Sequence, residues 1–258
     1  MKNPLKVLIT SGGTKVSIDA VRSITNMSRG TFGSAICKRF LEKGHHVDFL
    51  MAEGSRSPFK FEVSASKTDS KEYLLDFINW HLFVEKYHSN YFAFEFKTFE
   101  DYHSKIKNLF SIGQYDVIVL ACAASDYGVA NYMDGKIRSG NSMSIELTPY
   151  PKIISSVREM QPNTYLVGFK LMVKSEYSEL IEAASKSLDQ NKCDMVVAND
   201  LNDIKSNDHK LLIVENPKKG SNEKQITRFD KDYCYVYGKT LAESLVDFIL
   251  NNLEDKKS

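Results

Sequence analysis

Leu5 to Thr10 forms a short, partly β-branched apolar run that breaks at Ser11-Gly12-Gly13-Thr14, the pattern of a buried strand feeding a loop. Phe32, Ala35, Ile36 and Phe40 then recur at helical spacing up to Gly44, a residue suited to stopping a helix, and Val47 to Met51 resumes as strand. Together these segments predict one strand–helix–strand unit. Further buried strands are predicted at Tyr115 to Ala121, Tyr165 to Phe169 and Met195 to Ala198. A helix between the last two has Tyr177, Leu180, Ile181, Ala184 and Leu188 as its inner face. Leu211 to Val214 and Gln225 to Phe229, separated by the polar turn 216–222, predict a hairpin. Leu241, Leu245, Phe248 and Ile249 predict a closing helix, with a frayed tail from Glu254 to Ser258.

Strands alternating with amphipathic helices imply an α/β, Rossmann-like fold, a mostly parallel sheet with helices on both faces. The stretch 52–113 breaks the rhythm. It is rich in aromatics such as Phe59, Phe61, Trp80, Phe83, Tyr91, Phe92, Phe94 and Phe96, has one helical pattern at Phe99, Tyr102, Ile106 and Leu109, and is read as an insertion in a single domain 1–258. A chain of 258 residues buries enough surface to need no staples. Its 34 Lys+Arg against 33 Asp+Glu leave a net charge of +1, which argues against a nucleic-acid partner or a polybasic membrane anchor. Cys37, Cys122, Cys193 and Cys234 are scattered, so neither a disulfide framework nor a zinc knuckle is written here, and a reduced, cytoplasmic protein is expected. No apolar run approaches the roughly 20 residues of a membrane span, and the start moves straight into a strand, so no export is expected.

Open parallel sheets bind ligands at the carboxyl ends of their strands, and the unusual residues cluster there. Ser11-Gly12-Gly13-Thr14 is followed by Asp19, Arg22, Asn26, Ser28, Gly30 and Gly33; small residues admit backbone N–H groups to an anion, and a helix starting after Gly30 adds its dipole. The same glycines also fit a plain turn and close helix–sheet packing. Ala121 to Tyr127 (ACAASDY) puts tiny side chains before an acid, which leaves room for a flat ring or equally for tight packing. Gly135 to Gly140 is basic through Lys136 and Arg138, as a loop over a polyphosphate or a solvated surface loop would be. Thr148 to Ile154 (TPYPKII) and Gly168-Phe169-Lys170 complete the set, with helix entry as the simpler reading of the prolines.

Other chemistries find less support. His45-His46 lacks partners at zinc spacing, and Ser11, Ser28 and Ser125 have neither a recognisable triad nor a GxSxG elbow. The GxGxxG fingerprint is missing and no Tyr-x-x-x-Lys pair stands in a plausible place, which weakens an NAD(P)-dependent short-chain-type reductase. A non-catalytic nucleotide-binding subunit remains a third alternative.

Taken in order, ITSGGT (9–14), IDAVRSITNMSRG (18–30), ACAASDY (121–127), GKIRS (135–139), TPYPKII (148–154), LVGFKL (166–171) and VVANDL (196–201) resemble the phosphopantothenate–cysteine ligases of coenzyme A biosynthesis. The resemblance covers residues 5–50 and 115–214 well and the stretch between them loosely. It implies a stand-alone ligase without a fused decarboxylase, acting as a homodimer on 4′-phosphopantothenate, cysteine and a nucleoside triphosphate with Mg²⁺. CTP is favoured over ATP because SLDQNKCDMVVANDL is similar to stand-alone bacterial ligases. In such enzymes the carboxylate is activated as an acyl-nucleotide, and the amine of cysteine then displaces the nucleotide.

By the same resemblance Asn26 matches the asparagine tied to the acyl-nucleotide, Lys136 the lysine of a mobile loop over the nucleotide, and Arg22 an arginine that orients substrate phosphate or carboxylate. Cys122, Ala123, Asp126, Tyr150, Pro151, Lys152, Ile153 and Phe169 match nucleotide-pocket positions, while Gly12, Ser28 and Gly30 match glycine-rich loops near phosphate. No protein metal cage is implied, since Mg²⁺ comes with the triphosphate. There are departures from the family pattern: Arg29 stands for a small residue, Cys122 for alanine, Lys-Ile-Arg-Ser (136–139) for a lysine-richer loop, and Asn191 lies near a position often occupied by lysine.

Overall fold

The computed structural model describes residues 3–62, 70–140, 142–205, 209–217, 223–230 and 238–257. In chain order the elements are β1 (Lys6–Ser11), β2 (Lys15–Ser17), β3 (Ser23–Thr25), α1 (Thr31–Glu42), β4 (His46–Ala52), α2 (Ser70–Tyr87), β5 (Tyr91–Phe96), α3 (Phe99–Ile112), β6 (Val117–Leu120), β7 (Tyr127–Val129) and β8 (Leu147–Pro149). They continue with α4 (Ile153–Met160), β9 (Tyr165–Met172), α5 (Tyr177–Gln190), β10 (Met195–Asp200), α6 (Leu201–Lys205), β11 (Leu211–Glu215), β12 (Gln225–Phe229) and α7 (Leu241–Lys257).

Eight strands form one sheet in the order β12-β11-β10-β9-β6-β1-β4-β5. From β10 to β5 all neighbours are parallel, and β11 and β12 add an antiparallel hairpin at one edge. The central strands read as unbroken apolar runs because both faces are covered. Val7 and Ile9 point to the face of α1 and α7, whereas Leu8 between them points to the face of α3, α4 and α5. Helix α1 stops as expected at Gly44, whose φ of +84° turns the chain so that its N–H reaches Leu41 O at 2.8 Å and the next N–H reaches Phe40 O at 3.1 Å.

Within 52–113 the helix expected at Phe99, Tyr102, Ile106 and Leu109 is present as α3, but the stretch is not an irregular insertion throughout. From Tyr91 on it belongs to the sheet: β5 pairs in parallel with β4, and Phe99, Tyr102, Ile106 and Leu109 of α3 are buried in the core. Phe92, Phe94 and Phe96 share one face of this edge strand, which runs from exposed at Phe92 to buried at Phe96. Helix α2 instead leaves Leu74, Leu75, Phe77, Ile78 and Leu82 exposed. At the other end α7 remains helical through Lys257 where fraying was expected. The turn 216–222 of the hairpin lies largely outside the described residues.

Arg39 of α1 ties that helix to α7 through Asp247, with Nε and Nη2 donating at 2.9–3.2 Å, and Lys43 and Lys239 add to the same carboxylate at 3.1 and 2.8 Å. Burial pushes the Asp247 carboxyl up, but the hydrogen bonds from Arg39, Lys239 and Lys43 outweigh it and hold the group well below the usual carboxylate range. A lowered folded pKa stabilises the protein above the unfolded value of about 4, and that stability disappears only as pH falls through the folded pKa. Asp247→Asn is therefore expected to cost about 2 kcal/mol at pH 7, roughly 4–8 °C in melting temperature. The deficit should persist at pH 5; superimposed melting curves at both pH values would refute this account of the α1–α7 contact.

Candidate functional site

The chain starts in the middle of the sheet, builds outward through β4 and β5, and returns to the other side of β1 as β6. The sheet order therefore switches between β1 and β6, and a crevice opens beyond their carboxyl ends. ITSGGT and ACAASDY are the loops that leave these two strands.

The two strands keep pairing after the sheet has ended. Ala123 N donates to Gly12 O at 2.8 Å, Thr14 N donates to Ala123 O at 3.2 Å, and Ser125 N donates to the Thr14 hydroxyl at 2.8 Å. Thr10 also contributes, its hydroxyl oxygen receiving Cys122 N at 3.3 Å. The glycines are required sterically. Gly12 has φ +84°, and a Cβ there would come within 2.2 Å of Ser55 Oγ; on Gly13 it would come within 2.6 Å of the Asn26 carbonyl oxygen. Gly12 is thus buried against Ser55 and Ala52, with its carbonyl used on Ala123, a tighter packing role than a loop open to phosphate.

Asn26 follows the short β2–β3 ribbon and is held by this extension, its Nδ2 donating to Ala123 O at 2.9 Å. An amide nitrogen carries two hydrogens, so the contact fixes the side chain and leaves one donor for a substrate. Asn26 and Asp126 line a common cavity of about 250 Å³ with Ala124, Ser125 and Tyr127, walled by Val16, Ile24 and Leu147. Ser28, whose N–H donates to Asn26 O at 2.9 Å, leads to Gly30 at the start of α1. Gly30 has φ +72°, and a Cβ there would meet Ser11 Oγ at 2.8 Å. No side chain caps this helix start, so its first turn presents backbone dipoles.

Lys136 and Arg22 do not line the cavity. Lys136 is exposed on the loop beyond Gly135. The Arg22 guanidinium lies 3.4 Å from Asp19 and donates to the Ile137 carbonyl at 3.1 Å, which ties it to that loop. Tyr132 and Lys136 have Tyr-x-x-x-Lys spacing, but no helix carries them and they share no helical face.

The remaining residues assigned to a nucleotide pocket divide between the faces of the sheet. Tyr150 packs its ring on Phe99 at 4.0 Å with 6° between planes, covers Gly128, and donates its hydroxyl to Glu100. Burial and that carboxylate push the phenol above its ordinary pKa, so it stays protonated. Its N–H donates to Asp126 O at 2.9 Å, which joins β7 and β8 to the cavity rim. Pro151 and Lys152 are exposed, and Ile153, the first residue of α4, is buried in the core. Cys122 packs on the α3 face, and burial drives its thiol far above its usual range. Phe169 faces the other way, edge-on to Phe32 of α1 at 6.1 Å, with His209 against Phe32 at 5.4 Å.

Ser55 builds the site without having been named in the sequence, while Thr10, Gly13 and Thr14 were named only as members of the ITSGGT loop, with no role of their own. No periodic pattern marks them; the nearest signal is a pair of glycines before a threonine. Among the described residues no group of three or more His, Cys, Asp or Glu side chains is placed to hold a metal ion, and no helix is long and apolar enough to cross a membrane.

Comparison with known proteins agrees with this fold. Residues 3–82 and 85–250 match the family described as the DNA/pantothenate metabolism flavoprotein C-terminal domain. A Thermococcus kodakarensis coenzyme A biosynthesis bifunctional protein CoaBC is 34% identical over 81% of this chain and 44% of its own length, so this chain spans less than half of that bifunctional relative. The Mus musculus phosphopantothenate–cysteine ligase is 30% identical over 78% of this chain and 73% of its own length. The crystal structure of the DNA/pantothenate metabolism flavoprotein from Streptococcus pneumoniae superimposes with a TM-score of 0.70 at 26% identity, covering 98% of this chain and 99% of that one. The chain therefore belongs to the DNA/pantothenate metabolism flavoprotein C-terminal domain family, to which phosphopantothenate–cysteine ligases are related along most of their length.

Proposed function

We propose that this chain joins 4′-phosphopantothenate to cysteine at the expense of a nucleoside triphosphate. The substrate carboxylate attacks the α-phosphorus and pyrophosphate leaves; the cysteine amine then attacks the acyl carbonyl and the nucleoside monophosphate leaves. The observation that carries this reading is Asn26, whose amide is anchored on Ala123 O at 2.9 Å in a cavity shared with Asp126 at the sheet's switch point. A fixed N–H₂ donor beside an acyl group stabilises the oxyanion formed when the amine attacks, and no protein nucleophile is required. Asp126 accepts a hydrogen bond from the base, and the small side chains Ala123 and Ala124 leave the ring room.

Lys136 supplies a mobile ammonium to the triphosphate, which arrives as its Mg²⁺ complex. Gly30 and Ser28, at the open start of α1, lie towards the phosphates. CTP is the preferred nucleotide and ATP the alternative. The functional unit is a homodimer, a reading supported by the exposed apolar side chains of α2. Cys37, Cys122 and Cys193 are free thiols, in keeping with a reducing cytoplasm.

Pyrophosphate release that requires phosphopantothenate, followed by amide formation on adding cysteine, tests the assignment; release without phosphopantothenate would defeat it. Asn26→Ala is expected to keep the first step and lose about 10²–10³-fold in transfer to cysteine, read by trapping the acyl-nucleotide in a quench experiment. A tenfold or greater loss of pyrophosphate release is expected in Lys136→Ala, on the order of 1.4 kcal/mol. With Mg²⁺ present, CTP at about 100 times its Kd should stabilise the fold by about 2.7 kcal/mol, while NADPH should leave the melting temperature unchanged.

A further inference from the structure

Asp19 is 2% exposed, sits in the turn between β2 and β3 and does not line the cavity. One carboxylate oxygen accepts the N–H groups of Val21 at 2.9 Å and Arg22 at 2.7 Å, as an aspartate does when it closes its own turn. The other oxygen accepts the N–H of Ile137, 118 residues away, at 3.1 Å. A local turn has no use for that second contact. It is reinforced from three sides: Arg22 lies 3.4 Å from the same carboxylate and donates to Ile137 O at 3.1 Å, Ala20 N donates to Gly135 O at 3.0 Å, and Met133 N donates to Ile18 O at 3.4 Å. The contacts therefore hold residues on both sides of Lys136, while Lys136 itself is exposed.

We propose that Asp19 is a positioning residue that anchors the loop 133–138 on the β2–β3 turn and so sets the place from which Lys136 reaches the triphosphate; the second half rests on the role proposed above for Lys136. A loop free at both ends samples many placements of its lysine, whereas one clamped at residues 135 and 137 leaves chiefly the lysine side chain to move. The clamp has a fixed charge. Burial pushes the Asp19 carboxyl up, but the N–H groups of Val21, Ile137 and Arg22, together with the Arg22 guanidinium, outweigh it and keep the group ionised. Arg22 is accordingly a part of the clamp, and its contacts account for an arginine four residues before Asn26 without requiring it to touch substrate.

Asp19→Asn keeps the size of the side chain but sets an amide N–H₂ or a neutral oxygen against the Ile137 N–H and Arg22. Hydrogen exchange of the full-length chain, read on peptides covering 133–138, should become about tenfold faster, with peptides of β1, β6 and β9 unchanged. Arg22→Lys, which keeps the charge and loses the bond to Ile137 O, should accelerate exchange of the same peptides by a smaller factor; it serves as the reporter if Asp19→Asn does not fold. Pyrophosphate release in Asp19→Asn should fall about tenfold in the otherwise native chain and not at all further in a Lys136→Ala background, because the two residues act through one loop. Equal fractional losses in both backgrounds, or unaltered exchange at 133–138, would overturn the proposal. Faster exchange with a fully active Lys136→Ala would uphold the anchor and overturn the role given to Lys136.

Discussion

Everything at the candidate site depends on the continuation of β1–β6 pairing beyond the end of the sheet. Two parallel strands that diverged after their last ladder bond would release ITSGGT and ACAASDY as independent loops. Here the Ala123 carbonyl receives both the Thr14 N–H and the Asn26 amide, so one acceptor closes the extension and orients the side chain assigned to the chemistry. The cost is steric: Gly12 and Gly13 leave no space for a Cβ beside Ser55 and the Asn26 backbone. A half-buried carbonyl gains from a partner, and this one has two.

That constraint explains the layout of the rest. The sheet core, with Val7, Ile9, Val117 and Val119 on one face and Leu8, Ile118 and Leu166 on the other, fixes the two strand ends. Short ribbons that have little core of their own, β2–β3 and β7–β8, then border the cavity between them. Their positions come from side-chain and backbone contacts at the rim: Tyr150 N on Asp126 O, the Phe99–Tyr150 stack, and the buried carboxylate of Asp19. The chemistry thus rests on a rigid floor and a polar rim attached to it.

The floor was legible in the sequence because doubly covered strands are continuously apolar, and α1, α3 and α5 carry their buried residues at helical spacing. The rim was not. Three-residue strands such as Ser23–Thr25, exposed throughout, have no periodicity to read. β5 was hidden by aromatics that also suit an irregular segment, although the alternation to Phe96 was present. At the site, Asn26 and Asp126, assigned together by their motifs, line one cavity, whereas Lys136 lies outside its walls. Facing was lost for Phe169: side chains alternate across a strand, so Gly168 looks towards Ile154 and Cys193 while Phe169 looks towards Phe32. Ile153 belongs to the core for a similar reason, since it is the first residue of a helix packed on that face.

The most direct test of the central claim is a crystal structure with a stable acyl-nucleotide mimic, the acyl sulfamate of phosphopantothenate and the nucleoside. Its acyl oxygen is expected about 3 Å from Asn26 Nδ2, with the Asn26 bond to Ala123 intact and the base beside Asp126. A ligand bound elsewhere, or one that draws Asn26 away from Ala123 while the enzyme remains active, would contradict it.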